Sequence, residues 1–134
     1  MLPTVLRNQV VLFLPACVFT ASVSRGLRVA GPLPCLRELV GHTLGIYAFY
    51  EVLFYSSHRL LHLPGWYARF HKTHHRTLGS VGISAHYATG LDFATMNFVP
   101  VIAASYALDC HAASVWLFSL VALSLSLSLS LSLS

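Results

Sequence analysis

Long stretches of this chain carry no charge. Residues 8–24, 93–108 and 112–134 contain no Asp, Glu, Lys or Arg, and residues 39–57 contain only Glu51. In hydrocarbon a backbone has no water to bond to, so such runs must close their hydrogen bonds internally, as helices or as a barrel. A helix spans a bilayer with about 20 apolar residues, and about 17 is the lower limit. The runs therefore predict an all-α, polytopic membrane protein of about four membrane helices, near 8–24, 39–63, 93–108 and 112–130. Composition agrees. Only 9% of residues are charged and 56% are hydrophobic, against about 25% charged in soluble domains.

The segments between the runs set the organisation. Residues 25–38, RGLRVAGPLPCLRE, form a loop punctuated by Gly and Pro. Residues 8–24 could be a secretory signal, with small residues at Ala21-Ser22-Val23. The further spans and the weakly basic amino end favour a retained anchor, which puts 1–44 in an anchor-and-loop unit. Lys and Arg number three in 25–38 and four in 58–92, so the longer polar stretch is assigned to the cytosol as a histidine-rich cap. The net charge of +4 is spread out. It suits anionic headgroups rather than nucleic acid. Cys17, Cys35 and Cys110 are scattered and form neither a disulfide framework nor a metal motif.

Five of the eight histidines fall between residues 58 and 75. His58 and His62 read HRLLH, and His71, His74 and His75 read HKTHH. Helical residues three or four apart share a face, so each group can aim its imidazoles one way. Pro64-Gly65 between them favours a turn, which would bring both groups into one space. Neutral imidazole is the commonest metal ligand and suits zinc, copper, iron and nickel alike. The competing reading is a basic surface patch on acidic lipid. Glu51, Tyr55, His58 and His62 lie on one helical stripe. A carboxylate in the apolar run YAFYEVLFY is costly unless paired. Glu51, with Tyr55, is thus a candidate to orient a ligand histidine. A bond from Glu51 to Arg59 or to a neighbouring helix is equally open. Asp109 and His111 sit at the tip of a hairpin between 93–108 and 112–130. His111 and His42 lie a full span from the clusters and are left out of the site.

HRLLH, HKTHH and the preceding YEVLFYSS resemble the fatty acid hydroxylase / sterol desaturase superfamily, above all its C-4 methylsterol oxidase branch. The likeness covers residues 45–122 and includes NFVPVIAA before the hairpin. It also includes Ala85-His86, where the family has His-Pro-x-Glu. Here Tyr87 stands at the proline, and Thr89 where the Glu would be. The resemblance implies an endoplasmic-reticulum enzyme that hydroxylates a lipid C–H bond, a sterol C-4 methyl or a fatty acyl carbon, with O2. It implies two non-haem irons held mainly by histidines, here His58, His62, His71, His74, His75 and His86. Electrons would come from NAD(P)H through a reductase and a cytochrome b5-type carrier.

One departure matters. Family members carry a last H-x-x-H-H box after the hairpin, whereas residues 123–134 here are a Leu-Ser alternation. A CT dinucleotide repeat would translate to that pattern, so the tail is expected to be a low-complexity artefact of a longer chain. As a helix, its Ser hydroxyls would bond back to the preceding turn. Two irons need about eight protein ligands, so five or six leave the site incomplete and the chain is expected to be inactive alone. Two other functions remain open: a non-catalytic membrane metal-binding fragment, and a membrane zinc hydrolase. The hydrolase needs only three histidines and a water, but no Glu accompanies them as in H-E-x-x-H.

Overall fold

The computed structural model describes residues 1–23, 27–76, 84 and 86–132. Ala85 of the Ala85-His86 element, residues 77–83 of the polar cap, the loop start at 24–26 and the tail end at 133–134 lie outside the described residues. The described chain is mostly helical.

Helix α1 runs through Leu2–Arg7, a wide π-helical turn at Asn8–Phe13, and Leu14–Val23. The wide turn immediately precedes Pro15, whose missing N–H and bulky ring disturb the hydrogen-bond ladder one turn earlier. The same pairing recurs in α4. There Gly90–Phe93 leads into a π-helical turn at Ala94–Phe98 and then Val99–Ala107, with Pro100 in its first turn. Thr89 caps α4 by accepting from the Asp92 N–H at 3.4 Å, which starts the helix three residues before the apolar run.

Helix α2 spans Leu36–Leu61, about 39 Å at 1.5 Å per residue. Cys35, extended behind Pro34, opens it, and Glu38 lies in its first turn, where a carboxylate complements the helix dipole. The end is set by Pro64. The residue before a proline is pushed to the extended region, and Leu63 has φ −61 and ψ 142. Pro64 then opens a short helix α3, Pro64–Trp66 continuing as a π-helical turn at Tyr67–His71, followed by a 3₁₀ turn at His74–Arg76.

The hairpin between α4 and α5 (Ala112–Ser132) turns at Asp109, which takes a left-handed φ of 47, a conformation that Asp tolerates. Strand β1, Leu27–Arg28, pairs in parallel with β2, Cys110–His111. Arg28 also pairs with Glu38 and donates to the Asp109 carbonyl at 3.2 Å. This ties the 27–38 loop to the hairpin tip, at the end of the bundle away from the histidine groups. The core between α2, α4 and α5 is built from Ile46, Ala104, Cys110 and Phe118. A Cβ on Gly45 would stand 2.7 Å from a Leu108 methyl, so a larger residue there would require the Leu108 side chain to move.

The Leu-Ser segment is helical through Ser132, and Ser124 donates back to the Leu120 carbonyl at 2.8 Å. Among the described residues, Leu2–Phe19 is the one helical stretch long and apolar enough to cross a membrane, and Ala112–Leu125 is a shorter apolar one. Helix α2 is long enough, but it carries Arg37, Glu38, Glu51 and Arg59. Large apolar side chains nevertheless face outward along it, among them Leu44, Phe49 and Val52, as do Trp116 and Leu120 on α5.

Candidate metal centre

His58 lies in the last turn of α2 and His62 at its C-cap, one turn apart on one face. Their Nε2 atoms face each other at 3.0 Å. The chain then reverses. Trp66 and Tyr67 donate to the Leu63 carbonyl at 2.9 and 2.8 Å, starting α3 back towards α2. The wide turn at Tyr67–His71, closed by Lys72 N–H on the Tyr67 carbonyl at 2.9 Å, delivers His71 to the end of α2. His75 follows, with its Nε2 3.0 Å from that of His71. Ring centres of His58 and His62 stand 4.7 and 4.8 Å from that of His71, and His62 is 5.0 Å from His75. One nitrogen from each of His58, His62, His71 and His75 lies within 4.8 Å of all the others.

His71 is fixed most firmly. Its Nδ1–H donates to Asp92 Oδ2 at 2.9 Å, and both side chains are buried, at 0% and 1% exposure. Burial, with the neighbouring imidazoles of His75, His62 and His74, pushes His71 down to about 4. Burial raises Asp92 to about 6. At neutral pH the pair is therefore a neutral imidazole held by a carboxylate. With the proton on Nδ1, His71 turns a bare Nε2 lone pair towards its three neighbours. Thr89 secures this arrangement from the other side: its hydroxyl donates to the Phe70 carbonyl at 2.6 Å while capping the helix that carries Asp92.

His58 is also pushed down to about 4 by burial and by the other imidazoles, and His75 is lowered by the same causes. The ring of His58 stacks on Phe54, and His62 stacks on Tyr67.

These observations test whether a cation fits. Nitrogens 3.0 Å apart either share a proton or face a common positive ion. Ligands at about 2.0–2.1 Å from a tetrahedral ion stand about 3.3 Å apart, and the two close pairs lie within a few tenths of that. Four imidazoles, one of them oriented by a buried carboxylate, could hold one ion if the nitrogens that now stand up to 4.8 Å apart close in around it. Among the described residues this is the one such group of three or more His, Cys, Asp or Glu side chains. Among the described residues the arrangement suits one ion.

The remaining sequence candidates lie elsewhere. The His74 ring is 5.5 Å from both His71 and His75, outside the converging four. It borders a cleft of about 220 Å³, lined also by Tyr50, Phe54, Asp92, Met96 and Asn97. His86 turns towards α1, where the Gln9 amide donates to its Nδ1 at 2.7 Å, and its ring packs on Phe93. Burial lowers His86 as well. Glu51 is exposed two turns before His58. Tyr55 is 62% exposed and accepts from Arg59 at 3.1 Å. Neither shares a hydrogen bond with His58 or His62. The orienting role sought for them is occupied, at His71, by Asp92, which sequence reasoning missed. The available signal was scarcity, since Asp92 is one of only four acidic residues.

The geometry defines a histidine cluster that could bind a metal at one end of a helical, membrane-compatible bundle, and it stands beside the comparisons with known proteins. The fatty acid hydroxylase family profile matches residues 43–130, and the chain belongs to that family. It is 36% identical to human fatty acid hydroxylase domain-containing protein 2 over 126 residues, covering 90% of this chain and 37% of that protein. It is 28% identical to a C-4 methylsterol oxidase of Schizosaccharomyces pombe over 119 residues, covering 86% of this chain and 38% of the relative. It is 27% identical to a cholesterol 25-hydroxylase-like protein of Danio rerio over 121 residues, covering 87% and 42%. The chain thus spans well under half the length of these relatives. No solved structure matches it.

Proposed function

We propose that this chain carries the first metal-binding half of a lipid C–H oxygenase centre, and that His58, His62, His71 and His75 together hold one iron ion. The convergence of those four nitrogens carries the reading. Family membership supports the reaction class, as do relatives named as oxidases and hydroxylases of sterols and fatty acids. The substrates in view are a sterol C-4 methyl group or a fatty acyl carbon. The overall change is C–H plus O2, two electrons and two protons giving C–OH and water. A cytochrome b5-type carrier, fed by an NAD(P)H reductase, supplies the electrons.

Bound iron would supply activation of O2. Everything else falls to the protein. Asp92 holds the proton on His71 Nδ1 and so keeps its Nε2 free. Burial keeps His58 and His71 neutral down to mildly acidic pH, so protons compete weakly for their lone pairs. The aromatic ladder Tyr50, Phe54, His58, with ring centres 5.4 and 5.7 Å apart, leads from the cleft to the imidazoles. That cleft, about 220 Å³, is smaller than the roughly 300 Å³ at which whole-ligand pockets begin. It would admit only the reacting part of a lipid whose remainder lies in the bilayer. His74 borders the cleft and would be a candidate ligand for a second iron. A two-iron centre needs more ligands than these residues present. The outward apolar faces of α2 and α5 support a membrane setting, which on this reading is the endoplasmic-reticulum membrane with the histidine end cytosolic.

A second reading follows from ligand number. Four imidazoles complete a tetrahedral ion and leave no open position, as in structural rather than catalytic sites. On that reading the chain is a non-catalytic membrane metal-binding protein. Product formation from sterol and fatty acyl substrates, with NADPH, reductase and cytochrome b5, separates the two. Iron loading without turnover by a version of the chain extended with an H-x-x-H-H segment favours the second. Turnover establishes the oxygenase and shows that four histidines do not close the site.

A further inference from the structure

Helix α1 is exposed and apolar along most of its described length, with Val5 and Asn8 as its buried residues. Asn8 is fully buried, at 0% exposure. Its Nδ2 donates to the Ala88 carbonyl at 3.0 Å and to the His86 carbonyl at 3.3 Å. Arg7 donates to its Oδ1 at 3.2 Å. The neighbouring Gln9 amide donates to His86 Nδ1 at 2.7 Å. Leu12 lies over Gly90, and Phe13 meets Phe98 edge-on with ring centres 6.5 Å apart. Helix α1 therefore grips the 86–90 segment by two side-chain amides and packs along the start of α4.

That segment leads directly to the candidate metal centre. Ala88 precedes Thr89, which donates to the Phe70 carbonyl beside His71 and caps the turn that carries Asp92. Asp92 holds His71. A burial-driven role alone does not explain an amide at position 8. An apolar side chain there would avoid placing polar atoms in the interface but would leave the His86 and Ala88 carbonyls without their donor.

We propose that Asn8 is a positioning residue for the metal centre. On this proposal the amino-terminal helix sets the place of Asp92, and through it the orientation of His71, by fixing the backbone at residues 86–88. The inference rests on the reading of the four histidines as a metal site. It makes an otherwise lipid-facing helix part of the ligand geometry, and it predicts that disturbing α1 is felt as lost metal affinity at His71, 63 residues away in sequence.

The test is a double-mutant cycle on cobalt(II) binding by the full chain in detergent, read from the visible absorption of the bound ion. Asp92→Asn should weaken binding by about 10–100-fold, the usual consequence of losing a ligand's outer hydrogen-bond partner. Asn8→Asp removes both donated hydrogen bonds with almost no change of shape, and should weaken cobalt by about tenfold. Combined with Asp92→Asn it should add no more than about twofold, because both act on one chain of contacts. Gln9→Met, at a half-buried position where folding is less at risk, repeats the cycle and should show the same lack of additivity. Far-UV circular dichroism confirms helix content in each variant. Wild-type affinity in Asn8→Asp or Gln9→Met overturns the proposal, and so do losses that multiply with those of Asp92→Asn. If the wild-type chain itself binds no cobalt, the metal-site reading falls and takes this inference with it. Tight wild-type binding with an indifferent Asn8→Asp overturns the inference alone.

Discussion

Replacing Thr89 by valine deletes one hydroxyl and leaves shape and volume nearly unchanged. In the structure that hydroxyl has two tasks. It donates to the Phe70 carbonyl at 2.6 Å, and it accepts from the Asp92 N–H at 3.4 Å as the cap of α4. Loss of an N-cap costs about 1 kcal/mol. A carbonyl stripped of its donor in a half-buried setting costs about 1 kcal/mol or somewhat more. Thr89→Val should therefore destabilise the chain by about 2 kcal/mol, whereas Thr89→Ser, which keeps the hydroxyl, should cost well under about 1 kcal/mol. The assay is reversible unfolding in mixed micelles with increasing SDS, followed by far-UV circular dichroism. The valine variant should also bind cobalt(II) several-fold more weakly, because Phe70 and Asp92 flank His71 from two directions. Equal stability of the valine and serine variants would refute the reasoning. It would mean that Thr89 is only a neighbour of the centre.

Acidification should destabilise the metal-free chain. His58 and His71 titrate near 4 in the folded state against an ordinary 6.5, so the unfolded chain takes up protons first and stability falls as pH drops from about 6.5 to about 4. Asp92, raised from 3.8 to about 6, has the opposite sign and offsets part of the loss below about pH 6. The SDS midpoint at pH 5 should thus lie below that at pH 7.5, and a rise contradicts the assignment of neutral buried histidines. His62→Ala should weaken cobalt binding by about 100-fold or more and His74→Ala by less than about tenfold, measured by the same titration. Equal losses would place His74 among the ligands. Arg28→Ala should leave the unfolding midpoint nearly unchanged, because its pair with Glu38 is solvent-screened.

Much of this was legible in the chain. Charge-free runs located α1, α4 and α5, because an apolar segment has few other ways to satisfy its backbone. The spacing of His58 with His62, and of His71 with His75, foretold shared faces, and Pro64-Gly65 foretold the reversal between them. Periodicity, however, knows only neighbours on one helix. It drew attention to Glu51 and Tyr55, which share a stripe with His58, and missed Asp92, which reaches His71 only after the chain has folded back. It could not separate His74 from His71 and His75. The wide turn ending at His71 and the 3₁₀ turn after it rotate these rings by amounts that an ideal helix does not predict. Asn8 was invisible for the same reason: its partners are carbonyls of residues 86 and 88, and backbone atoms leave no mark in a sequence. The apolarity of 39–63 suggested a membrane span. The helix that forms there also carries Arg37, Glu38, Glu51 and Arg59, and by length and composition only α1 meets the requirement among the described residues.

The central claim is that four histidines from two folded-back segments share one ion. Elemental analysis of the purified 134-residue chain, loaded with iron(II) without oxygen and freed of excess metal, tests it most directly. The account predicts one iron per chain, falling to below about a tenth of that in His71→Ala, whose removal takes away a ligand and leaves Asp92 buried without its partner. Two irons per chain, or a His71→Ala variant that loads as fully as the wild type, would contradict it.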